Sequence, residues 1–425
     1  MERTPTARAE GCPVVIIGGG PAGLFCALQA AGAGRRVVVL EKNASCGRKL
    51  LITGTGQCNL TNTGDISEFL VHYGDHGPFL RHALRGFTNR DLRAFLSEQG
   101  LATTAEPGGK VFPASRKAQD VLSLLLSACS KRGVAVRCSE PVQSVASTGE
   151  GFVVTTERAV YHAACCVVAT GGVSYPATGS TGDGYAFARV LGHAVTDVAP
   201  ALAAVTVADF PYADCAGISF ENLQVSLYRG GKKIRQQSGD LLFTHHGLSG
   251  PAVLHLSRFT RAGDVLAVSF LPGRDPQQLD RELTGTIAAH GQRLVRALLL
   301  DYTLPERFVR RLLDVAGIPA DQTGAHLSRE KRSAIIANLT GHAFTVKEVA
   351  GFDRAMVTAG GVALEAINPK TMESRQVPGL FFVGEVLDID GDTGGYNLQA
   401  AFSTAAAAAR RIRAICSGQG HGTLG

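Results

Sequence analysis

Tryptophan is absent from the 425-residue sequence, and its ten cysteines include no Cys-x-x-Cys pair. Because zinc sites and disulfide-rich frameworks usually contain closely spaced cysteines, we expect reduced and mostly buried thiols. One loose group of ligand-type residues, His72, Asp75, His76 and His82, has irregular spacing. The sequence therefore predicts no metal site.

The sequence also lacks runs of charge. Its 42 Lys and Arg against 36 Asp and Glu give a net charge of +6, and these residues are scattered along the chain. Without a basic stripe or stacking aromatic residues, we expect no nucleic-acid partner. The mild basic surplus suits an anionic cofactor or substrate as well, so we expect a small-molecule substrate.

One long stretch lacks charge altogether, from Gly11 to Gly34. Its apolar character is interrupted at residues 18–21 by three glycines and a proline, and a strand-like run follows at residues 37–40. This pattern favours a buried βαβ unit over a signal peptide or a membrane span. We expect a cytoplasmic protein without a membrane partner.

The same stretch carries the pattern of a dinucleotide-binding unit. Apolar residues 14–17 lead into Gly18, Gly20 and Gly23, and a second apolar run ends just before Glu41. In such units the first glycine allows a tight turn, the second lets a pyrophosphate approach, and the third lets the helix pack on the sheet. The terminal acid binds a ribose, so the motif predicts a dinucleotide cofactor.

The remaining chain divides by its hydrophobic periodicity. Short strands and helices alternate up to residue 194, short strands with Gly and Asp turns dominate residues 195–273, and helical spacing covers residues 274–344. Strand character returns within residues 345–425. We predict an α/β fold with a two-part Rossmann-like domain (1–194 and 345–425) that is interrupted by a β-rich, barrel-like unit and a helical unit.

Three predicted strand ends carry glycine-rich turns. They are residues 18–23, 169–172 and 384–385, and a helix begins near Asn397. The carboxyl ends of parallel strands lie at one edge of a sheet, where ligands bind in the crevice. One extended dinucleotide, FAD, can touch all three turns, and a helix N-terminus can stabilise negative charge on its reduced ring.

Several longer strings resemble a known flavoprotein family, which includes the dehydro-bile-acid reductase and aminoacetone-oxidase-type enzymes. The matching strings are Gly47 to Leu50, Thr53 to Asn62, Ser174 to Tyr185, Phe243 to Pro251, and Gly384 to Gln399. They are spread over nearly the whole chain. The resemblance implies a two-part FAD-binding domain with inserted units that cover the flavin.

The resemblance and the glycine motif together imply a set of cofactor contacts. Pyrophosphate, ribose and the path to the flavin are assigned to Gly18, Gly20, Pro21, Ala22, Gly23, Glu41, Lys42, Arg48, Lys49, Thr170, Gly171, Gly384, Glu385, Asn397, Leu398 and Gln399. Val142 is expected to contact the adenine through its backbone. Arg48 and Lys49 have an alternative interpretation as solvated surface charges.

Three residues in the matching strings are candidates for catalysis. His245, favoured over its neighbour His246, and Tyr175 could donate a proton. Cys58 is either a redox thiol or a small buried apolar residue. The second interpretation is favoured because no resolving cysteine lies at motif spacing. Tyr175 could also serve only in packing.

The resulting hypothesis is an FAD-dependent oxidoreductase. It would use NAD(P)H to reduce an activated, enone-like C=C bond of a small molecule by hydride transfer through flavin N5. Only one Gly-x-Gly-x-x-Gly motif, at residues 18–23, follows a strand-like run within a βαβ unit, so NAD(P)H would bind transiently. The alternatives are an oxygen-dependent amine or aminoketone oxidase and a non-catalytic flavin-binding protein. The oligomeric state is not predicted.

Overall fold

The computed structural model describes residues 13–32 and 34–418. The chain forms two compact units. The first contains Met1–Ala199 and Val357–Gly425, and the second contains Pro200–Met356. Each unit has its own hydrophobic core, so the two are described separately.

The described residues form nineteen strands. In chain order these are β1 Pro13–Ile17, β2 Arg36–Leu40, β3 Thr61–Asn62, β4 Thr103–Ala105, β5 Lys110–Pro113, β6 Ala135–Arg137, β7 Val142–Ser147, β8 Phe152–Thr156, β9 Val160–Ala163, β10 Cys165–Val168, β11 Ala199–Ala201, β12 Val205–Val207, β13 Ser219–Arg229, β14 Lys232–Phe243, β15 Gly247–Ser249, β16 Val265–Ser269, β17 His342–Val349, β18 Val357–Ala359 and β19 Leu380–Phe382.

Twelve α-helices of the described residues accompany these strands. They are α1 Pro21–Ala30, α2 Arg48–Ile52, α3 Gly77–Gly86, α4 Asn89–Glu98, α5 Ala118–Lys131, α6 Asp183–Val190, α7 Pro251–Leu256, α8 Pro276–His290, α9 Val295–Leu300, α10 Glu306–Val315, α11 Arg329–Gly341 and α12 Tyr396–Cys416.

A parallel five-stranded sheet forms the centre of the first unit, with the order β19-β10-β1-β2-β6. Its central strand β1 is buried from Val14 to Ile17. A continuous apolar run of this kind is typical of a parallel strand that is covered on both faces. Strand β1 pairs in parallel with β2 and β10, and β10 with β19, so their carboxyl ends meet at one edge. The predicted α/β Rossmann-like fold is confirmed.

Helices α1 and α12 pack against each other beside this sheet. The Phe25 ring of α1 lies 5.0–5.2 Å from the rings of Phe87, Phe95 and Phe402. The alanine-rich residues 405–409 of α12 are all buried, because small side chains let the helix approach closely. Since α12 comes from the end of the chain, the last segment completes the first unit's core.

The second unit is built on a closed barrel with the strand order β12-β15-β14-β13-β16-β17. Helices α7–α11 belong to the same unit. The sequence division at 344/345 falls inside β17, which pairs with both β12 and β16. A barrel needs this strand to close, so the unit extends to Met356.

Eight cysteines in the described part of the chain are free thiols, and all but Cys138 are buried. The expectation of reduced thiols holds for these eight but is wrong for Cys416, which is disulfide-bonded. Cys12 lies outside the described residues. Among those residues no group of three or more His, Cys, Asp or Glu could hold a metal ion. Within the same ranges, every helix is too short or too polar to cross a membrane.

The core of the second unit depends on Phe308 of α10. This side chain is fully buried, and its ring lies 4.5–6.0 Å from the rings of Phe270, Phe220, Tyr212 and Phe243. We expect Phe308→Ala to lower the free energy of unfolding by about 3–5 kcal/mol because it leaves a cavity.

Urea unfolding checks this prediction. The matched control is Val315→Ala at the exposed end of the same helix, where Val315 is 38% exposed, and there we expect a loss below about 1 kcal/mol. Equal losses in the two variants would contradict the packing described for Phe308.

Candidate cofactor site at the carboxyl edge of the sheet

The turn after β1 is tightly packed against its neighbours. Gly18 has a φ of +111°, and a Cβ atom there would lie 2.5 Å from the carbonyl oxygen of Ala169 at the end of β10. A Cβ atom at Gly23 would lie 2.0 Å from the carbonyl oxygen of Gly18. Both distances are far below van der Waals contact, so packing alone requires glycine at these two positions.

Gly20 differs from these two glycines. It precedes α1 with φ −79° and ψ 180°, a backbone conformation that any residue adopts. A Cβ atom there would meet no protein atom within 4 Å. The missing side chain therefore leaves open space at the N-terminus of α1, where the first N–H groups of the helix have no partner within it. This is the arrangement that binds a pyrophosphate, so the turn fits FAD.

The end of β19 lies against this helix. A Cβ atom at Gly384 would be 2.9 Å from the Cβ of Ala22 in the first turn of α1. Together with the approach of Gly18 to Ala169, this contact brings the three predicted turns to one place. The cofactor contacts assigned to residues 18–23, 170–171 and 384–385 are thus neighbours in the structure.

Glu41, at the end of β2, is a buried carboxylate with protein partners. Its Oε2 accepts a hydrogen bond from the Gly19 N–H at 2.8 Å. Its Oε1 accepts from the backbone N–H and the side-chain amide of Asn43, at 2.8 and 2.7 Å. Glu41 thereby fixes the glycine turn, and Oε2 keeps a lone pair for a ribose hydroxyl.

Two of the predicted basic contacts have partners near the same strand end. Lys42 Nζ lies 2.7 Å from Asp183 Oδ2 and also donates to Thr181 Oγ1. The exposed Arg48 donates to Asn43 Oδ1 at 3.1 Å. Lys42 therefore links the end of β2 to the start of α6.

Lys49 and Glu385 form an ion pair at the other end of this edge. Lys49 Nζ donates to both carboxylate oxygens of Glu385, at 2.7 and 2.9 Å, and to Ser174 Oγ at 2.6 Å. Both side chains are 20% exposed. Glu385 Oε1 also accepts from the Thr358 N–H at 3.0 Å. A contact of Lys49 with the cofactor would therefore compete with this pair.

Thr170 differs from the other predicted contacts, because its hydroxyl is directed into the protein. Its Oγ1 is buried and has no hydrogen-bond partner among the described residues. A Cβ atom at Gly184 of α6 would lie 2.2 Å from this oxygen. A contact of Thr170 with the cofactor would therefore come from its main chain.

The loop before α12 is closed by Asn397. Its side chain accepts from the Gly391 N–H and donates to the Gly391 carbonyl, both at 2.8 Å. Gln399 is fully buried, accepts from Thr61 Oγ1 at 2.7 Å and donates to the Phe87 carbonyl at 3.1 Å. Both side chains hold protein structure, so a cofactor contact here would come from the first N–H groups of α12, including that of the half-buried Leu398.

Val142, the predicted adenine contact, begins β7 and is half-buried. It pairs with Thr156 of β8. The contact between the Val142 backbone and the adenine stays a prediction.

The three catalytic candidates have different surroundings. Cys58 is fully buried, and burial raises the pKa of its thiol to about 12, so it stays protonated at neutral pH. Tyr175 is half-buried with a φ of +52°, which is rare for a residue with a side chain. His245 and His246 are exposed in the turn between β14 and β15 of the second unit. Their catalytic roles stay predictions.

The sequence interpretation missed Asn43 and Thr358, which hold Glu41 and Glu385. Asn43 lies two residues after Glu41, a spacing typical of local side-chain hydrogen bonds, so a signal existed. Thr358 lies in β18, 27 residues before Glu385, and nothing in the local pattern indicates this contact.

The open space at Gly20 leads to a prediction. We expect Gly20→Val to leave the FAD-free protein about as stable as the parent, because the backbone is extended and no protein atom lies within 4 Å of the new Cβ. The affinity for FAD should fall at least about tenfold, or about 1.4 kcal/mol, because the side chain fills the pyrophosphate position.

Thermal unfolding of the FAD-free protein and FAD titration by fluorescence measure the two effects. Gly285→Ala in α8 is the matched control, since a Cβ atom there also meets nothing within 4 Å, and it should bind FAD normally. Unchanged FAD binding by Gly20→Val would exclude the pyrophosphate from this turn.

The chain is similar to known proteins over nearly its whole length. Residues 12–411 match the family model described as HI0933-like protein Rossmann domain. The chain is 34% identical to a ribosomal RNA dihydrouridine synthase of Escherichia coli over 407 residues, which are 95% of this chain and 98% of that protein. It is 31% identical to a 3-dehydro-bile acid delta(4,6)-reductase of Clostridium scindens over 406 residues, 93% of this chain and 97% of that protein.

A solved structure has the same fold at low identity. The 3-ketosteroid delta1-dehydrogenase of Sterolibacterium denitrificans, in complex with 1,4-androstadiene-3,17-dione, superposes with a TM-score of 0.53 at 13% identity. The alignment covers 95% of this chain and 99% of that one. We conclude from the glycine turn, the strand-end geometry and the family match that this chain belongs to the HI0933-like family and is an FAD-dependent oxidoreductase.

Proposed function

We propose that this enzyme reduces a C=C bond conjugated to a carbonyl group, and that its substrate is a uridine base in ribosomal RNA. The observation that carries the proposal is the full-length relation to two enzymes whose names describe the same kind of reaction. Making dihydrouridine saturates the C5=C6 bond beside the C4 carbonyl of uracil. Reducing a Δ4,6 bond system in a 3-oxo steroid saturates carbon conjugated to the C3 carbonyl.

In both reactions, each C=C bond that is reduced takes up two electrons. A hydride adds to the β-carbon and a proton to the α-carbon, which are C6 and C5 in uracil. When bound, FAD supplies the hydride chemistry. The chain must hold the cofactor, orient the base and deliver the proton.

Contacts among the described residues support the first of these tasks, which is holding the cofactor. The open space at Gly20 and the N-terminus of α1 fit the pyrophosphate. Glu41 fixes the glycine turn through the Gly19 N–H. The ion pair of Lys49 with Glu385 ties α2 to the end of β19, so the edge of the sheet is held rigid around the cofactor.

The net charge of +6 supports an RNA substrate, because RNA carries one negative charge per nucleotide. A cytoplasmic location, expected from the sequence, is what such a substrate requires. The earlier expectation of a small enone without a nucleic-acid partner stays a prediction. It forms the second candidate, supported by the bile-acid reductase relative.

NAD(P)H is the proposed source of electrons. Among the described residues the parallel sheet contains one glycine turn of the Gly-x-Gly-x-x-Gly type, at Gly18–Gly23, and FAD occupies that turn in the proposal. NAD(P)H would therefore bind transiently, reduce the flavin and leave.

Anaerobic mixing tests the function in two steps. NADH or NADPH should bleach the flavin absorbance of the purified enzyme, and unmodified ribosomal RNA should then restore it. Mass spectrometry of the RNA nucleosides should find uridine heavier by two hydrogen atoms. Reoxidation by a 4-en-3-one steroid but not by RNA would favour the second candidate. Bleaching by neither nucleotide would exclude the reductase.

The proton donor is tested by paired variants. We propose His245 as the acid, so His245→Gln should slow substrate-dependent reoxidation of the flavin by about 10²–10⁴-fold. Bleaching by NAD(P)H should be unchanged, because that step needs no proton at the substrate.

The neighbouring His246→Gln is the matched control, since His246 is exposed in the same turn. A large loss in Tyr175→Phe with a normal His245→Gln would instead assign the proton to Tyr175. Stopped-flow absorbance on FAD-loaded variants separates the two steps.

A further inference from the structure

The longest hairpin of the barrel ends in a tight turn. Strands β13 and β14 are joined by Gly230 and Gly231, whose φ angles are +54° and +77°. Two consecutive left-handed residues form the two-residue turn whose twist matches paired strands. Arg229 and Lys232 pair across it. The tip is therefore an ordered part of the barrel.

Three basic residues lie at this tip without acidic partners. Lys232, Lys233 and Arg235 are exposed and take part in no ion pair with a described residue. The nearest basic side chain before the turn, Arg229, is paired with the buried Asp264 through two contacts of 2.8 Å. Arg229 thus neutralises Asp264, and the three positive charges at the tip stay uncompensated.

The tip is also held in place. The Arg235 guanidinium lies 4.2 Å from the ring centre of Phe259, and Lys233 Nζ donates to Gln236 Oε1. The pairing register shifts between Leu227 and Tyr228, which leaves Ile234 as an extra residue on β14. A bulge of this kind twists the strand locally. Every residue from Lys232 to Gln236 is exposed.

We infer that this basic hairpin tip, Lys232 to Gln236, binds the phosphate backbone of RNA. The inference rests on the proposed RNA substrate. Uncompensated cations gain most from phosphates, because binding releases the counterions condensed on the nucleic acid. The amide of Gln236 can add hydrogen bonds to sugar or phosphate oxygens. A small enone substrate would need no such surface.

An anionic membrane is the competing partner for a basic surface. Membrane-binding surfaces combine basic residues with several apolar side chains that enter the lipid. Ile234, 46% exposed, is the one large apolar side chain between Lys232 and Gln236. The composition of the tip therefore favours RNA.

The test compares two triple variants of the FAD-loaded enzyme. One is Lys232→Gln/Lys233→Gln/Arg235→Gln at the tip. The matched control is Lys131→Gln/Arg158→Gln/Lys370→Gln, which removes the same charge from exposed positions of the first unit. FAD content and thermal unfolding verify that both variants fold. Binding of an unmodified ribosomal RNA transcript is then measured by fluorescence anisotropy over a series of salt concentrations.

The tip variant should lose about 2–3 units from the slope of log K against log salt, since each lost phosphate contact removes about 0.7–0.9. At low salt its affinity should fall at least about tenfold, whereas the control should keep the parent's slope. Equal slopes in the tip variant and the parent would overturn the inference.

These experiments distinguish a failure of the proposed RNA-binding surface from a failure of the proposed function. If the parent reduces uridine and the tip variant binds RNA normally, the proposed function stands and the docking surface is excluded. If the tip variant loses RNA binding but the parent reduces no uridine, the surface stands and the function fails. Loss of binding to phosphatidylglycerol vesicles with normal RNA binding would assign the tip to membranes and overturn the inference.

Discussion

The close approach of three strand ends at one edge of the parallel sheet is the constraint on which the first unit depends. Gly18 contacts the end of β10 and Gly384 contacts α1, at distances that allow no side chain at Gly18 and little room at Gly384. Because these contacts involve backbone or short side chains, the edge cannot adjust to larger residues. Gly20, between these two crowded positions, is where the same edge leaves open space.

Two acidic side chains hold this edge together. Glu41 accepts three hydrogen bonds from the turn after β1 and from Asn43. Glu385 is paired with Lys49 and accepts from the backbone of β18. A carboxylate with little exposure to water is costly unless its oxygens are bonded, and both Glu41 and the partly buried Glu385 have several donors. Both acids therefore act as tie points of this edge, and their contacts with the cofactor stay predictions.

Much of the fold could be predicted because its signals are local. The βαβ unit depends on residues 14–41, and the barrel segment shows short strands with Gly and Asp turns. Contacts over long separations could not be predicted. Lys49 and Glu385 are 336 positions apart, and the buried position of Gln399 depends on Thr61. No local pattern indicates either one.

The basic residues at the hairpin tip form a short local cluster and not a stripe along the chain. Lys232, Lys233 and Arg235 are close in sequence, but their significance depends on the turn at Gly230 and Gly231 and on the pairing of Arg229 with Asp264. Charge becomes a surface property only when the fold neutralises some residues and exposes others. Sequence composition alone does not give that division.

The way in which the chain interleaves its two units has a consequence for biosynthesis. The barrel unit is continuous, from Pro200 to Met356, whereas the first unit needs β19 and α12 from the last part of the chain. A ribosome therefore releases a complete barrel before the sheet has its final strand. Until α12 emerges, Phe25 lacks Phe402 as a packing partner, so the nascent chain presents an incomplete apolar face that chaperones can recognise.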